Sequence, residues 1–107
     1  MPRPVGTMGE TKFKILAIIY YNELRGIVTY GYEIWRILKE RFHTYFDDGN
    51  LRNVYRHLRD LERFGLIRRG EHQIVKGVPK RQTYYLTEKG KEMKNKFIRY
   101  LNILESA

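Results

Sequence analysis

Apolar side chains recur at helical spacing in four segments of the chain. In the first, 11–24, Ile15, Ile18 and Ile19 make even the flanks of the apolar face hydrophobic, which predicts a helix buried on almost all sides. The next segment, 25–29, contains Gly26 and is interpreted as a connection that includes a short extended stretch. A second helix is predicted over 30–42, half-buried, with Trp35 in its apolar stripe. That position favours a core role for Trp35 over stacking on a small-molecule effector.

A third helix, predicted over 50–64, separates two kinds of side chain by face. Its apolar face carries Leu51, Val54, Leu58 and Leu61. Nearly opposite lie four arginines with helical spacing, Arg52, Arg56, Arg59 and Arg63. Asp47, Asp48 or Asn50 is suited to cap the start of this helix, and Gly65 lies where a C-terminal cap is expected. One face therefore suits a core, and the other presents a row of guanidinium groups.

A β-hairpin is predicted after this helix. Following an extended stretch over 66–69, two strands are expected at 74–76 and 82–86, joined by a turn at 77–81. The turn forms a wing with a basic tip that carries Lys76, Lys80 and Arg81. Tyr84 and Tyr85 alternate across the second strand, so one should pack inward and the other lie outward.

A last helix is predicted over 88–105. Its narrow apolar stripe, with Leu101 at the flank, comprises Met93, Phe97, Tyr100 and Leu104. Such a stripe could fold back on its own domain or pack against a second subunit. Because it follows an otherwise complete domain, the sequence favours the second subunit. These residues are therefore the predicted dimerisation surface.

Length and composition narrow the classes of protein. The 107 residues suit one domain, and the net charge of +9 favours a polyanionic partner, either nucleic acid or an anionic membrane. No apolar run approaches the roughly 20 residues that span a bilayer, and no signal peptide opens the chain, so a cytoplasmic protein is expected. With no cysteine and three scattered histidines (His43, His57 and His72), no metal or other cofactor is predicted.

The predicted order of elements defines an α+β fold, mainly helical, of the winged helix-turn-helix class. We expect a flexible arm over 1–8, a DNA-binding domain over 9–87 and a dimerisation helix over 88–107. A helix of this kind enters the major groove of a DNA duplex, and a basic wing reaches phosphates. No nucleophile, base and orienting group stand at recognisable spacing, which argues against an enzyme.

Three sequence blocks resemble those of PadR-type regulators. They are YGYEI at 30–34, VYRHLRDLERFGLI at 54–67 and YYLTEKG at 84–90. The resemblance covers most of 11–100, although Arg56 stands where the family commonly has proline. It implies homodimers that bind operator DNA through the third helix and the wing, with the last helix packing against the partner's first helix. It also implies repression, often relieved by a small-molecule effector, and a DNA-facing or helix-positioning role for Tyr55.

The candidate DNA contacts come from the third helix and the wing. They are Asn50, Arg52, Asn53, Tyr55, Arg56, Arg59, Arg63, Lys76, Lys80 and Arg81. Residues near the start of a recognition helix usually read bases, so Arg52, Asn53 and Arg56 are assigned to bases, and Arg59 and Arg63 to phosphates. The competing hypotheses are a sequence-tolerant architectural DNA-binding protein and a winged helix that binds another protein.

Overall fold

The first helix occupies the centre of the fold. A computed structural model describes residues 9–42, 51–70 and 82–106 of the chain. Helix α1 spans Glu10–Leu24. Five consecutive residues, from Ile15 to Ile19, are fully buried, because neighbouring elements surround the helix on several sides. The prediction of a helix buried almost all round is confirmed.

A short turn leads from α1 into the next elements. Gly26 adopts a positive φ of 71°, a backbone conformation that glycine enters without steric cost. The buried Asn22 side chain donates a hydrogen bond to the Thr29 hydroxyl over 3.1 Å, which joins the end of α1 to the start of strand β1. Strand β1 spans Thr29–Tyr30, and helix α2 spans Gly31–Phe42. The extended stretch is therefore real but only two residues long.

Helix α3, Leu51–Arg63, is followed by a small antiparallel sheet. Gly65, at a φ of 77°, reverses the chain after the helix. Strands β2, Ile67–Arg69, and β3, Thr83–Leu86, pair with each other, and β1 pairs with the other edge of β3. The sheet order is thus β1-β3-β2.

The predicted hairpin needs correction. The strand expected at 82–86 is present, but its hydrogen-bonded partner is the extended stretch after α3, through pairs such as Ile67 with Leu86. The expected partner strand at 74–76 lies outside the described residues.

The single C-terminal helix expected over 88–105 is in fact two helices, α4, Glu88–Glu92, and α5, Lys94–Glu105. They meet at Met93, whose φ and ψ of −87° and 9° leave the helical region. Around this break the backbone hydrogen bonds join residues three apart, as in a 3₁₀ turn: the Met93 amide donates to the Gly90 carbonyl, and the Lys96 amide donates to the Met93 carbonyl. Such tight turns allow the chain to change direction without leaving amides unpaired.

The C-terminal stripe is buried within its own chain. Phe97 is completely buried, and its ring meets that of Tyr20 on α1 edge to face at 5.8 Å. Tyr100 packs in the same manner against Phe42 of α2. Leu101 and Leu104 belong to the same core, with Met93 at its margin. The stripe therefore folds back on its own domain, the alternative that the sequence did not favour, and packs against α1 and α2.

Candidate nucleic-acid interface

The faces of α3 are as distinct in the structure as in the sequence. Val54, Leu58 and Leu61 are buried in the core, while Leu51 is partly buried at its edge. At about 100° per residue, the four arginines fall within an arc of about 60° on the opposite side. All four are exposed: Arg52, Arg56, Arg59 and Arg63. The helix thus holds a compact row of cations away from the core.

Intramolecular ion pairs leave most of this row available. Arg63 lies 3.8 Å from the Asp60 carboxylate and remains 76% exposed, so the pair is weak. No carboxylate among the described residues forms an ion pair with Arg52, Arg56 or Arg59. All three side chains are exposed, and a phosphate or a base edge could accept hydrogen bonds from their guanidinium groups.

One flank of α3 is joined to α1 by a polar cluster. The Lys12 ammonium donates a hydrogen bond to His57 Nδ1 over 3.0 Å and lies 3.5 Å from the Asp60 carboxylate. Burial lowers the pKa of His57, and the Lys12 charge lowers it further. A neutral imidazole therefore accepts this hydrogen bond from the Lys12 ammonium, and the contact joins α3 to α1.

The other flank of α3 carries Tyr55, which is 40% exposed. Its ring lies against Gly31 at the start of α2. Tyr84 on β3 is close enough for Tyr55 to affect it: burial raises the pKa of the Tyr84 phenol, Arg69 lowers it, and Tyr55 raises it further. Tyr55 thus lies where α3, α2 and the sheet meet.

Basic residues on β2 were missing from the sequence-based set. Arg68 is exposed and its guanidinium stacks on the ring of Tyr85, 4.8 Å from the centroid, while Arg69 forms a 3.0 Å ion pair with Glu62 of α3. The alternation of Tyr84 inward and Tyr85 partly outward is also settled. The sequence feature that could have identified them is the pair of adjacent arginines that begins three residues after Gly65.

Of the remaining predicted DNA contacts, one lies on the described part of α3 and four lie outside the described residues. Asn53 is partly buried on the described helix and has interactions of its own. Four lie outside the described residues, namely Asn50, Lys76, Lys80 and Arg81. The row on α3 and the arginines of β2 therefore make up the described part of the candidate interface.

The described ranges contain no group of three acidic, histidine or cysteine side chains able to hold a metal, and no helix long and apolar enough to cross a membrane. A cleft of about 260 Å³ opens between the end of α1, α2 and the end of α5. It is smaller than ordinary ligand pockets of roughly 300–1,000 Å³. Arg36 within it is already paired with Glu33 and Glu40.

The fold and this basic helix define a winged helix-turn-helix protein. The family model described as the transcriptional regulator PadR-like family matches residues 16–96. The chain therefore belongs to the PadR-like family of transcriptional regulators, which confirms the prediction of a regulator rather than an enzyme. No curated protein matches the chain in sequence.

Solved structures of this family share the fold. Bacillus subtilis PadR, solved in complex with operator DNA, is 23% identical over 86% of this chain, with a TM-score of 0.66. This chain covers 48% of that protein, about half its length. A PadR-like regulator from Bacillus cereus is 25% identical, with a TM-score of 0.60, over 89% of this chain and 84% of the other. A PadR family regulator from Clostridium difficile is 22% identical, covers 92% and 93%, and has a TM-score of 0.64.

Proposed function

We propose that the chain is a sequence-specific transcriptional repressor that reads the major groove of operator DNA with α3. The observation that carries this proposal is the row of exposed arginines opposite the buried face of α3, three of them without an ion-pair partner in the described chain. The operator complex of the Bacillus subtilis relative, which has the same fold, supports the same choice of ligand.

The position of each residue along α3 determines whether it is assigned to bases or to phosphates. Arg52, Asn53 and Arg56 lie in the first half of the helix, the part that usually reaches base edges, and contact bases. Arginine pairs with guanine and asparagine with adenine, each discriminating by about 1–3 kcal/mol. Arg59 and Arg63 lie further along the helix and bind phosphates.

The sheet extends the contact surface beyond the groove. Arg68 presents its guanidinium on the strand that leads into the wing. We assign it to phosphate, together with Lys76, Lys80 and Arg81, because a basic extension beside a recognition helix meets the adjacent backbone. Substituting any of these residues should weaken binding to all DNA sequences to the same extent.

The repressor acts as a homodimer, which would place two copies of α3 about 34 Å apart, one turn of the duplex. With the stripe of α5 occupied in its own core, the contact between subunits must use outer surfaces of the terminal helices. Exposed apolar side chains there support this assignment: Leu24 on α1, and Ile98 and Ile103 on α5. Mass measurements of an Ile98→Asp variant test it, and an unchanged dimer would exclude Ile98 from the interface.

The decisive experiment is a binding-site selection followed by titrations at several salt concentrations. Arg52→Ala and Arg56→Ala should relax preference at one or two base pairs per half-site. Arg63→Ala should weaken binding to all sequences and reduce the slope of log affinity against log salt by about one. Arg36→Ala is a matched control, because that arginine lies on α2, outside α3 and the terminal helices, and pairs with Glu33 and Glu40.

Other outcomes identify the competing functions. Equal affinity for the selected and scrambled duplexes, with uniform losses at all four arginines, would indicate an architectural DNA-binding protein. No duplex binding at all would indicate a winged helix that binds protein. Either result would overturn the proposed repressor.

A further inference from the structure

Gly31, the first residue of α2, is buried although its backbone does not require glycine. The described glycines with a positive φ are Gly26 and Gly65, and Gly31 is not among them. Alanine would therefore adopt the same backbone, and it is the better helix former. The reason for glycine at this position must be space.

That space is filled by the ring of Tyr55. A methyl group built on Gly31 would lie 2.5 Å from Cε1 of Tyr55, 2.9 Å from Cζ and 3.0 Å from the hydroxyl oxygen. Carbon atoms in contact are normally about 3.5–4.0 Å apart. The phenol end of the ring thus lies directly on the backbone of α2, in the position that a side chain would occupy.

The ring also stands between the two faces of α3. By helical spacing, Tyr55 lies about 70° from the centre of the arginine row and about 80° from the centre of the buried face. About two helical turns further along α3, the ion pair between Glu62 and Arg69 joins the helix to β2. The Tyr55 ring therefore lies where α3 meets α2 and the sheet.

We propose that Gly31 is a positioning residue for DNA recognition. Its missing side chain lets Tyr55 rest on α2, and this contact sets the angle at which α3 presents Arg52 and Arg56. The inference rests on the proposed function, because it concerns how the same helix meets DNA.

A substitution at Gly31 should affect binding more than folding. The atoms in its way belong to the far end of a half-exposed side chain, which can swing outward when a methyl group arrives. The displaced ring would then move toward the arginine row, and α3 would lose its support on α2. The fold survives this change, but the geometry of the reading face does not.

The test is a double-mutant cycle of Gly31→Ala and Tyr55→Ala in the full chain. The probe is the duplex that the wild-type chain enriches in a binding-site selection, with a scrambled duplex for comparison. Each single variant should lose about tenfold in affinity for the selected duplex, comparable to one lost base contact. The double variant should bind no worse than Tyr55→Ala alone, since the methyl group then has nothing to displace.

Tyr55→Phe provides the control, because it keeps the ring and removes the hydroxyl. Its affinity should stay within about twofold of wild type if ring packing matters, since Cε1 and Cζ, the two ring atoms nearest Gly31, remain. A larger loss would assign the hydroxyl to DNA and overturn the positioning role. Thermal unfolding of every variant verifies that the losses in affinity exceed any loss of folded protein.

Two further results would overturn the inference. Gly31→Ala with wild-type affinity would show that the ring can move without consequence. Losses that simply add in the double variant would show that the two residues act independently. If wild-type protein preferred neither duplex, the proposed repressor itself would fail, whereas intact preference without coupling would reject only the role of Gly31.

Discussion

Replacing Phe97 with alanine should destabilise the chain itself rather than merely separate two subunits. The side chain is completely buried on α5 and contacts Tyr20 on α1. Removing a buried phenylalanine costs about 3–5 kcal/mol, which includes the lost ring contact and the cavity left behind. Since domains of this size are stable by only about 5–15 kcal/mol, the variant should be marginal.

The magnitude converts to a melting temperature. With an unfolding entropy of about 2.1 cal/mol/K per residue, each kcal/mol lowers the Tm of a chain of 107 residues by about 4.4 °C. Phe97→Ala should therefore melt about 13–22 °C below wild type. Circular dichroism during heating measures this shift, and sedimentation at two protein concentrations measures the mass of the folded species.

The control lies on the same helix. Asn102 is exposed, and alanine there should change Tm by no more than about 2 °C, because surface substitutions usually stay within about 0.5 kcal/mol. The reasoning would be refuted by a Phe97→Ala variant with nearly wild-type Tm and half the mass. That result would mean that the ring faces a second subunit rather than its own α1.

Three further predictions concern the elements that hold α3 and the sheet in place. Burial lowers the pKa of His57 below its ordinary 6.5, so the free energy of unfolding should be highest well above pH 6.5 and should decrease as the pH falls from 6.5 toward the folded pKa. Urea unfolding at several pH values measures this decrease, which should be smaller in His57→Gln. Thr87→Ala removes the cap of α4 and a 2.6 Å hydrogen bond to the Gly65 carbonyl, so Tm should fall by about 4–9 °C, and Thr87→Ser should restore most of it. Gly90→Ala should lower the free energy of unfolding in urea more than Gly65→Ala does, because the added methyl group at Gly90 collides with the Leu66 carbonyl. At Gly65 the cost is only that of alanine at a positive φ, about 1–2 kcal/mol. A larger loss at Gly65 than at Gly90 would contradict this.

Local periodicity was sufficient for the helices and for the two faces of α3. The apolar steps that place Val54 and Leu58 together depend only on the geometry of one helix, and so does the row of arginines on the opposite side. For the same reason, the predicted bounds of the second and third helices differ from the observed ones by a single residue at each altered end.

What failed depended on contacts between distant parts of the chain. Nothing in the local pattern indicates that β3 pairs with residues 67–69, since such pairing is decided by register across the sheet. The burial of Phe97 depends on how closely α5 approaches α1, which the apolar stripe alone does not reveal. The packing of Tyr55 on Gly31 was equally hidden, although the resemblance implied a DNA-facing or helix-positioning role for that tyrosine.

The division of α3 into a buried face and an exposed face has a consequence for how such a regulator could evolve. Substitutions at Arg52 or Arg56, the arginines proposed to read bases, remove no core contact, so each should change the stability of the fold by no more than about 0.5 kcal/mol. Duplicated copies of the gene could therefore acquire new operators by exchanging these side chains one at a time. Val54, Leu58 and Leu61 would stay under constraint throughout, because the core tolerates no such exchange.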